Sequence, residues 1–310
     1  MGTSEFAAPI LRALHERHEV TAVVTRPDSC RGRGLKLTPS PVKVAALECG
    51  ITVLDPVTLD DPVFLVALRE ARAELFFVTA FRILPPAVFT MPPFGTVNLH
   101  GSLLPDYRGA APIQRAVING DSETGLTTFY IEETVDTGDI ILTERVPIGP
   151  DETAGELAAR MRKIGAALAV RTADLVEAGT NPRIPQPKRA GRPAPKLRKE
   201  EGWIDWRRDA RSIHNLVRGM NPEPGAFTVW DRGMLKIHRT RVVDEESAGT
   251  PGTVAEASPT GGFSVWCGRG KLAILQTQPP GKRPMDGAAF VRGYRIDPGT
   301  LLALPGMHRS

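Results

Sequence analysis

Residues 75–100, LFFVTAFRILPPAVFTMPPFGTVNLH, decide the fold class of this chain. The stretch begins with the apolar run Leu75–Ala80 and ends with Gly95–His100, and both runs suit buried strands. Helical segments lie between strands of this kind throughout residues 1–180. Such alternation is typical of βαβ units, so we predict an α/β domain with a mostly parallel sheet.

The elements around this stretch follow from hydrophobic periodicity and from capping residues. Thr153 and Glu156 have the spacing of a capping box at the start of a long helix. We predict helices over Ser4–His15, Val42–Glu48, Asp60–Glu74, Ala110–Asn119 and Thr153–Ala178. We predict further strands over Glu19–Thr25, Ile51–Leu54, Gly125–Ile131 and Asp139–Val146.

Residues 181–200 interrupt the alternation. Asn181–Lys199 contains five prolines and seven basic residues but no acidic residue, which predicts an extended connector without a core. We therefore expect a first domain over residues 1–180, a basic Pro-rich linker over 181–200 and a C-terminal domain over 201–310. In this last domain one helix precedes short β-prone runs that predict a small barrel, namely Phe227–Trp230, Leu235–Thr240, Thr253–Val254, Gly262–Cys267 and Lys271–Gln276.

Composition excludes several classes of protein. Of the 310 residues, 41% are hydrophobic and 24% are charged, as in a globular protein. No apolar run approaches the roughly 18 residues of a membrane helix, and the N-terminal residues have no secretory pattern. Cys30, Cys49 and Cys267 form no CxxC pair, which argues against a disulfide framework or a structural zinc site. We expect a reduced, cytoplasmic protein.

Charge is distributed unevenly along the chain. Residues 1–180 hold 17 basic and 23 acidic residues, a net of −6, whereas residues 181–310 hold 22 and 12, a net of +10. The basic part favours a polyanionic partner, with nucleic acid ahead of anionic lipid. A basic surface that serves only solubility is an equally good interpretation of charge alone.

The densest group of reactive side chains follows Asn98. Asn98 and His100 are two residues apart on a predicted strand, so both project from the same face at its C-terminal end, where α/β sheets bind ligands. The Asn98 amide can donate to a developing oxyanion, and the His100 imidazole can donate to it or transfer a proton. The spacing alone is weak, because a buried histidine and a turn asparagine would give the same pattern.

Two loops carry further candidates. In the first, Asp136 could orient His100 and stabilise its protonated form, although a plain acidic turn is the more common meaning of this pattern. In the second, Arg31, Arg33 and Lys36 could hold phosphates, or could simply be solvated. The chain has no GxxxxGK[ST], GxGxxG, GxSxG or HExxH motif, so nucleotide binding by those loops and the matching hydrolase mechanisms are not supported.

Taken together, these stretches resemble the folate-dependent formyltransferases. The central match is NLHGSLLPDYRGAAPIQRAVINGDSETG over residues 98–125, followed by VDTGDII over 135–141. Further matches are GTSEFAAPIL, RGRGLKLTPSPVK, FVTAFRILPP and KEEGWIDW, and the resemblance extends from Gly2 to about Gly281. The Arg33 loop, the PSPVK run and the basic C-terminal domain are similar to the tRNA-directed members. The resemblance implies a doubly wound, Rossmann-like N-terminal domain and a C-terminal β-barrel of oligonucleotide-binding type.

The resemblance also implies roles for individual residues. Asn98, His100 and Asp136 match the catalytic trio of the family, and no metal is expected in the chemical step. The positions that match the tetrahydrofolate-binding stretch and the wall of the pterin pocket are Ser102, Leu103, Leu104, Pro105, Arg82, Ile83 and Leu84. Arg82 and Asp106 depart from the residues most common in the tRNA-directed members. The basic residues expected to contact tRNA are Arg31, Arg33, Lys36, Lys188, Arg189, Arg192 and Lys196.

The activity that the resemblance implies is transfer of a formyl group from 10-formyltetrahydrofolate to the α-amine of methionine on charged initiator tRNA. We expect a monomer without a membrane partner. The alternatives are a formyltransferase acting on an amino sugar nucleotide, a formyltetrahydrofolate hydrolase, or a non-catalytic RNA-binding protein with a degenerate enzyme domain. The first two have no need of the basic C-terminal part, and the intact trio argues against the third.

The N-terminal motif carries one more expectation. In the family, Gly-Thr-x-Glu-Phe follows a short apolar strand, and here the motif begins at Gly2. By resemblance we expect about five or more extra residues, mostly β-branched or aliphatic, before Met1 in the native protein. The alternative is a sheet that closes in a different way.

Overall fold

The computed structural model describes residues 1–31 and 36–303. Within these ranges the helices are α1 (Ala7–Arg17), α2 (Pro41–Glu48), α3 (Pro62–Glu70), α4 (Pro86–Phe89), α5 (Pro112–Ile118), α6 (Ala154–Glu177), α7 (Ala210–Met220) and α8 (Gly287–Tyr294), with a 3₁₀ helix at Lys199–Gly202. The strands up to residue 150 are β1 (Val23–Val24), β2 (Ser29–Arg31), β3 (Lys36–Thr38), β4 (Val53–Leu54), β5 (Phe76–Val78), β6 (Thr96–His100), β7 (Glu123–Tyr130) and β8 (Ile140–Pro147). The strands that follow are β9 (Ala226–Trp230), β10 (Gly233–Asp244), β11 (Val254–Ser258), β12 (Gly262–Trp266), β13 (Lys271–Gln278) and β14 (Met285–Asp286).

The first compact unit contains the predicted α/β sheet. Strand β1 pairs in parallel with β4, and β5 pairs in parallel with β6. Gly2 lies between these pairs, since it forms a parallel bridge with Thr79 and donates to the Val24 carbonyl at 3.0 Å. Strand β7 runs antiparallel to β6, and β8 follows it in the sheet order. The parallel α/β class is confirmed, with an antiparallel strand on one side of the parallel part.

A cavity of about 520 Å³ opens beside the first residues of the chain. The Met1 amine donates to the Phe77 carbonyl at 2.6 Å, and burial lowers the pKa of this amine to about 5. Side chains from α1, β1 and β5 line the cavity together with residues 19–22. Of the strand predicted over Glu19–Thr25, only β1 forms a ladder, whereas residues 19–22 border the cavity without pairing.

Most helices lie close to their predicted positions, since their end signals are local. Asp61 accepts from the Val63 amide and caps α3, and Ser40 caps α2 in the same way. The capping box before α6 is present, with the Glu156 amide donating to the Thr153 hydroxyl at 3.2 Å and the Thr153 amide donating back to the Glu156 carboxylate at 3.0 Å. Among the described residues, no helix is both long and apolar enough to cross a membrane.

The second compact unit is built on an antiparallel sheet in the order β11-β12-β13-β10-β9, with β14 paired to β13. Its core includes Trp206, Phe263 and Phe290, all less than 5% exposed. The segment Leu301–Ala303 forms bridges to Thr253, next to β11, and to Val229 in β9. This segment therefore links the two edge strands, and the β-rich C-terminal domain is confirmed.

The compact units alternate along the chain. The first contains residues 1–112, 124–147 and 158–194, and the second contains 113–123, 148–157 and 195–310. Residues 148–157 belong to the second unit because the buried Arg218 guanidinium donates to the carbonyls of Gly149 and Glu152 at 3.2 and 3.3 Å. Residues 181–194 belong to the first unit, so this division differs from a simple boundary at residues 181–200.

Candidate active site

Strand β6 carries the two candidate catalytic side chains at its C-terminal end. Asn98 lies opposite Val78 of β5 and Phe129 of β7, which fixes its position in the sheet. His100 ends the strand, only 7% exposed, with its ring in a T-shaped contact with the Phe129 ring. Because side chains alternate along a strand, Asn98 and His100 project from the same face, and Asn98 keeps partial exposure.

The two ring nitrogens of His100 have different partners. Nε2 lies 2.8 Å from the main-chain carbonyl oxygen of Tyr107. A carbonyl oxygen can only accept, so Nε2 carries a hydrogen and donates it. Nδ1 lies 3.8 Å from Oδ2 of Asp136. The nitrogen that remains able to gain or lose a proton therefore faces the carboxylate, at a distance that leaves the hydrogen bond unformed.

Asp136 is the third member of the group, and tertiary structure brings it to His100. Its backbone has φ of 55°, a left-handed conformation that is unusual outside glycine. The same Oδ2 that faces His100 accepts a hydrogen bond from the Gly109 amide at 2.9 Å. The carboxylate is thus held between a main-chain donor and the imidazole, with its side chain 12% exposed.

The loop after β6 contains the predicted folate-binding residues. The buried Ser102 hydroxyl donates to the Asp106 carbonyl at 2.6 Å, and the Ser102 carbonyl accepts from the Thr127 hydroxyl at 2.7 Å. Leu104 and Pro105 are buried, whereas Leu103 is half-buried. The loop is therefore hydrogen-bonded to β7. Ser102 and Leu104 stabilise the loop itself as much as they could contact a ligand.

The predicted wall of the pterin pocket follows β5. The Arg82 guanidinium donates to the carbonyls of Pro56 and Val57 at 3.0 and 2.7 Å. Leu84 is only 5% exposed and packs in the core around Phe64 and Leu68, while Ile83 is 78% exposed. Of these three predicted residues, Ile83 offers the apolar side chain that a flat ring could cover.

The predicted tRNA contacts fall into different environments. Arg189 forms an ion pair with Asp106 at 2.6 Å, and the Arg192 amide donates to the same carboxylate at 3.0 Å. The hydrogen bond from Arg189 holds the pKa of the Asp106 carboxyl below its usual range. Two other predicted residues, Lys188 and Lys196, are exposed.

Two of the early basic residues, Arg31 and Lys36, lie on strands β2 and β3. The backbones of Arg31 and Lys36 pair with each other at the ends of these strands. Arg33 lies outside the described residues. Its assignment to tRNA recognition remains a prediction from the resemblance.

Main-chain groups that no sequence pattern predicted complete the site. The Tyr107 carbonyl accepts from His100, and the Gly109 amide donates to Asp136. Gly109 has φ of 122°, and a Cβ there would lie 2.6 Å from the Ala194 carbonyl oxygen, so only glycine fits. Backbone carbonyls and amides have no sequence signature, so the only sequence signal for these contacts was the glycine at position 109.

One group of described side chains has the spacing of a metal site, and it contains none of the predicted catalytic residues. His18, Asp174 and Glu177 bring three ligand atoms within 4.8 Å of one another. The His18 ring already contacts both carboxylates, with Nε2 3.1 Å from Asp174 and Nδ1 3.5 Å from Glu177. The histidine ring therefore lies between the two carboxylates.

Comparison with known proteins identifies the family of this chain. Residues 1–173 match the formyl transferase family, and residues 196–295 match the formyl transferase C-terminal domain. A methionyl-tRNA formyltransferase of Moorella thermoacetica is 46% identical over 304 residues, covering 97% of each chain. A methionyl-tRNA formyltransferase of Symbiobacterium thermophilum is 47% identical over 308 residues, covering 98% of this chain and 94% of the relative.

Solved structures show the same fold at lower identity. An N-formyltransferase from Helicobacter canadensis, solved with folinic acid and dTDP-3-aminofucose, superposes with a TM-score of 0.66 at 20% identity. The match covers 88% of this chain and 97% of that one. The chain therefore belongs to the formyl transferase family and, within it, to the methionyl-tRNA formyltransferases.

Proposed function

We propose that this enzyme transfers the formyl group of 10-formyltetrahydrofolate to the α-amine of methionine on charged initiator tRNA, for translation initiation. Identity of 46–47% over nearly the whole chain to methionyl-tRNA formyltransferases supports this function. The observation that carries the chemistry is the group of Asn98, His100 and Asp136 at one end of β6, with Nδ1 of His100 3.8 Å from the carboxylate.

The chemistry requires stabilisation of negative charge on the formyl oxygen. The methionine amine attacks the formyl carbon, a new C–N bond forms, and the bond from that carbon to the folate nitrogen breaks. Asn98 can donate its amide hydrogen to the oxygen while the charge develops, and His100 can donate from Nδ1 when protonated. Pairing of β6 on both sides fixes the backbone positions of both residues, and the hydrogen bond from Nε2 to the Tyr107 carbonyl orients the His100 ring.

The amine must lose a proton before or during attack. The amine of an aminoacyl ester loses its proton more readily than a lysine amine does. His100 offers only Nδ1 for exchange because Nε2 donates to the Tyr107 carbonyl. Asp136 stabilises the positive charge that His100 gains, and a water molecule between them could carry the proton toward the leaving nitrogen. This route uses protein side chains and one water molecule and requires no metal.

The co-substrate would be held by the loop after β6 and the turn after β5. The buried residues Ser102 and Leu104 stabilise the loop that borders the site. The exposed Ile83 offers an apolar surface to the pterin ring. The remaining positions proposed for folate are Leu103, Pro105, Arg82 and Leu84.

The nucleic acid would be held by basic residues. The net charge of +10 over residues 181–310 favours the phosphate backbone of tRNA. The residues proposed to contact it are Arg31, Arg33, Lys36, Lys188, Arg189, Arg192 and Lys196. We infer that the enzyme acts as a monomer in the cytoplasm, and its three unpaired cysteines support a reducing compartment.

A formyl-transfer assay with charged initiator tRNA tests the proposal. The variants Asn98→Ala, His100→Ala and Asp136→Asn should each lower kcat by about 100- to 1000-fold while folate binding changes little. Parallel reactions with an amino sugar nucleotide, and measurement of formyl-donor hydrolysis, separate the alternatives. Faster formylation of the sugar than of the tRNA, or near-normal turnover in His100→Ala, would overturn the proposal.

A further inference from the structure

Gln186 connects two loops of the active site through one side chain. It lies in the segment 184–194, here called the strap, which belongs to the first compact unit. Its amide nitrogen donates to the carbonyl oxygens of Asp136 and Gly138, both at 2.9 Å. Its amide oxygen accepts from the Arg108 guanidinium at 2.5 Å. Both hydrogens and the oxygen of this amide are therefore used.

The residue that Gln186 holds most directly is strained. Asp136 has φ of 55°, a left-handed conformation that a non-glycine residue keeps only where its surroundings impose it. Residues 132–135 just before it are exposed, so its own loop provides little support. The described constraints on Asp136 are the Gly109 amide on its carboxylate and the Gln186 amide on its carbonyl.

The strap itself is fixed on both sides of Gln186. Ile184 exchanges two main-chain hydrogen bonds with Ile140, at 2.8 and 3.0 Å. Beyond Gln186, the Arg192 carbonyl accepts from the Tyr107 amide at 2.6 Å. Gln186 therefore extends from a rigid segment, and its replacement should act locally without releasing the strap.

We infer that Gln186 is a positioning residue for formyl transfer, which keeps the Asp136 carboxylate at the distance from His100 that the reaction needs. The inference rests on the proposed function. A glutamine suits the position because two carbonyl oxygens require two N–H donors from one atom. A glutamate of the same size would set a carboxylate against those oxygens.

The test compares Gln186→Met with Gln278→Met in the formyl-transfer assay. Gln278 is a matched control, since its side chain also makes hydrogen bonds to another residue's side chain and to a carbonyl, but in the second unit. We expect Gln186→Met to lower kcat by about 10- to 100-fold, with KM for both substrates within about twofold. Gln278→Met should stay near the parent enzyme.

A double-mutant cycle separates positioning from a general structural role. If Gln186 acts through Asp136, then Gln186→Met should have little further effect in the Asp136→Asn background. Additive losses in the double variant, or an unchanged kcat in Gln186→Met, would overturn the inference. Gln186→Glu provides a second variant if Gln186→Met unfolds at a lower urea concentration than the parent. An inactive parent enzyme would instead refute the proposed function.

Discussion

The variant Gly191→Ala tests how closely the strap packs against the loop after β6. A Cβ at Gly191 would lie 1.8 Å from the Pro105 carbonyl oxygen, 2.5 Å from its carbon and 3.0 Å from the Asp106 nitrogen. All three atoms are main-chain atoms, so no side chain can rotate to make room. The backbone of Gly191 has no positive φ, and the prediction therefore concerns space alone.

The required shift sets the size of the effect. Moving the new Cβ to 3.0 Å from the oxygen separates the strap from the loop by about 1.2 Å. The hydrogen bonds that join these segments include three close to Gly191: the Tyr107 amide to the Arg192 carbonyl, the Arg192 amide to Asp106, and the Ala194 amide to the Arg108 carbonyl. At about 1 kcal/mol each, their loss would lower the free energy of unfolding by about 3 kcal/mol.

Activity should fall as well, because the Tyr107 carbonyl also accepts from His100. A displacement of about 1 Å at a reacting group can cost about 100-fold in rate. Urea unfolding and steady-state formyl transfer measure the two effects, with Gly293→Ala as the control, since a Cβ there meets nothing within 4 Å. If Gly191→Ala keeps both its urea midpoint and its kcat, the described packing of the strap is wrong.

Three other predictions follow from burial and charge. Cys30 is exposed, whereas Cys267 is buried and burial raises the pKa of its thiol to about 12. At pH 8 a thiol reagent should therefore label Cys30 rapidly and Cys267 only after unfolding. Mass spectrometry of the labelled peptides measures both rates, and equal rates would contradict this prediction. Burial lowers the pKa of His214 in the folded state below the usual 6.5, so the unfolded state binds more protons and the free energy of unfolding should fall as the pH drops below 6.5. In urea titrations, the free energy of unfolding should differ less between pH 7.5 and pH 5.5 in His214→Asn than in the parent enzyme. The same difference in both proteins would refute the assignment. Asp106→Asn removes the carboxylate that pairs with Arg189, so the released Arg189 guanidinium should tighten tRNA binding by up to about fivefold at low salt. The gain in affinity should decrease as the salt concentration rises. Weaker binding in a filter assay would show that the ion pair supports the RNA site instead.

Local patterns were sufficient for most of the elements. The apolar runs of Leu75–Ala80 and Gly95–His100 became β5 and β6, and Thr153 with Glu156 began the long helix as predicted. These signals succeed because strand alternation and helix caps depend on neighbours within a few residues. Glu19–Thr25 was one exception: its pattern favoured a long strand, but only Val23–Val24 pair with β4.

By itself, the sequence determined the α/β class and the placement of Asn98 and His100 on one face of a strand. Only the tertiary structure decided that Asp136 lies beside His100, since the sheet has to turn back through β7 before the chain returns to the site. It also decided that Gln186 and Arg189, in a segment that composition marks as a linker, fasten the catalytic loops. The physical reason lies in the partners of these contacts. Some partners are main-chain carbonyls and amides, which every residue has, and others are side chains about 30 to 80 positions away in the sequence, so neither kind produces a local sequence pattern.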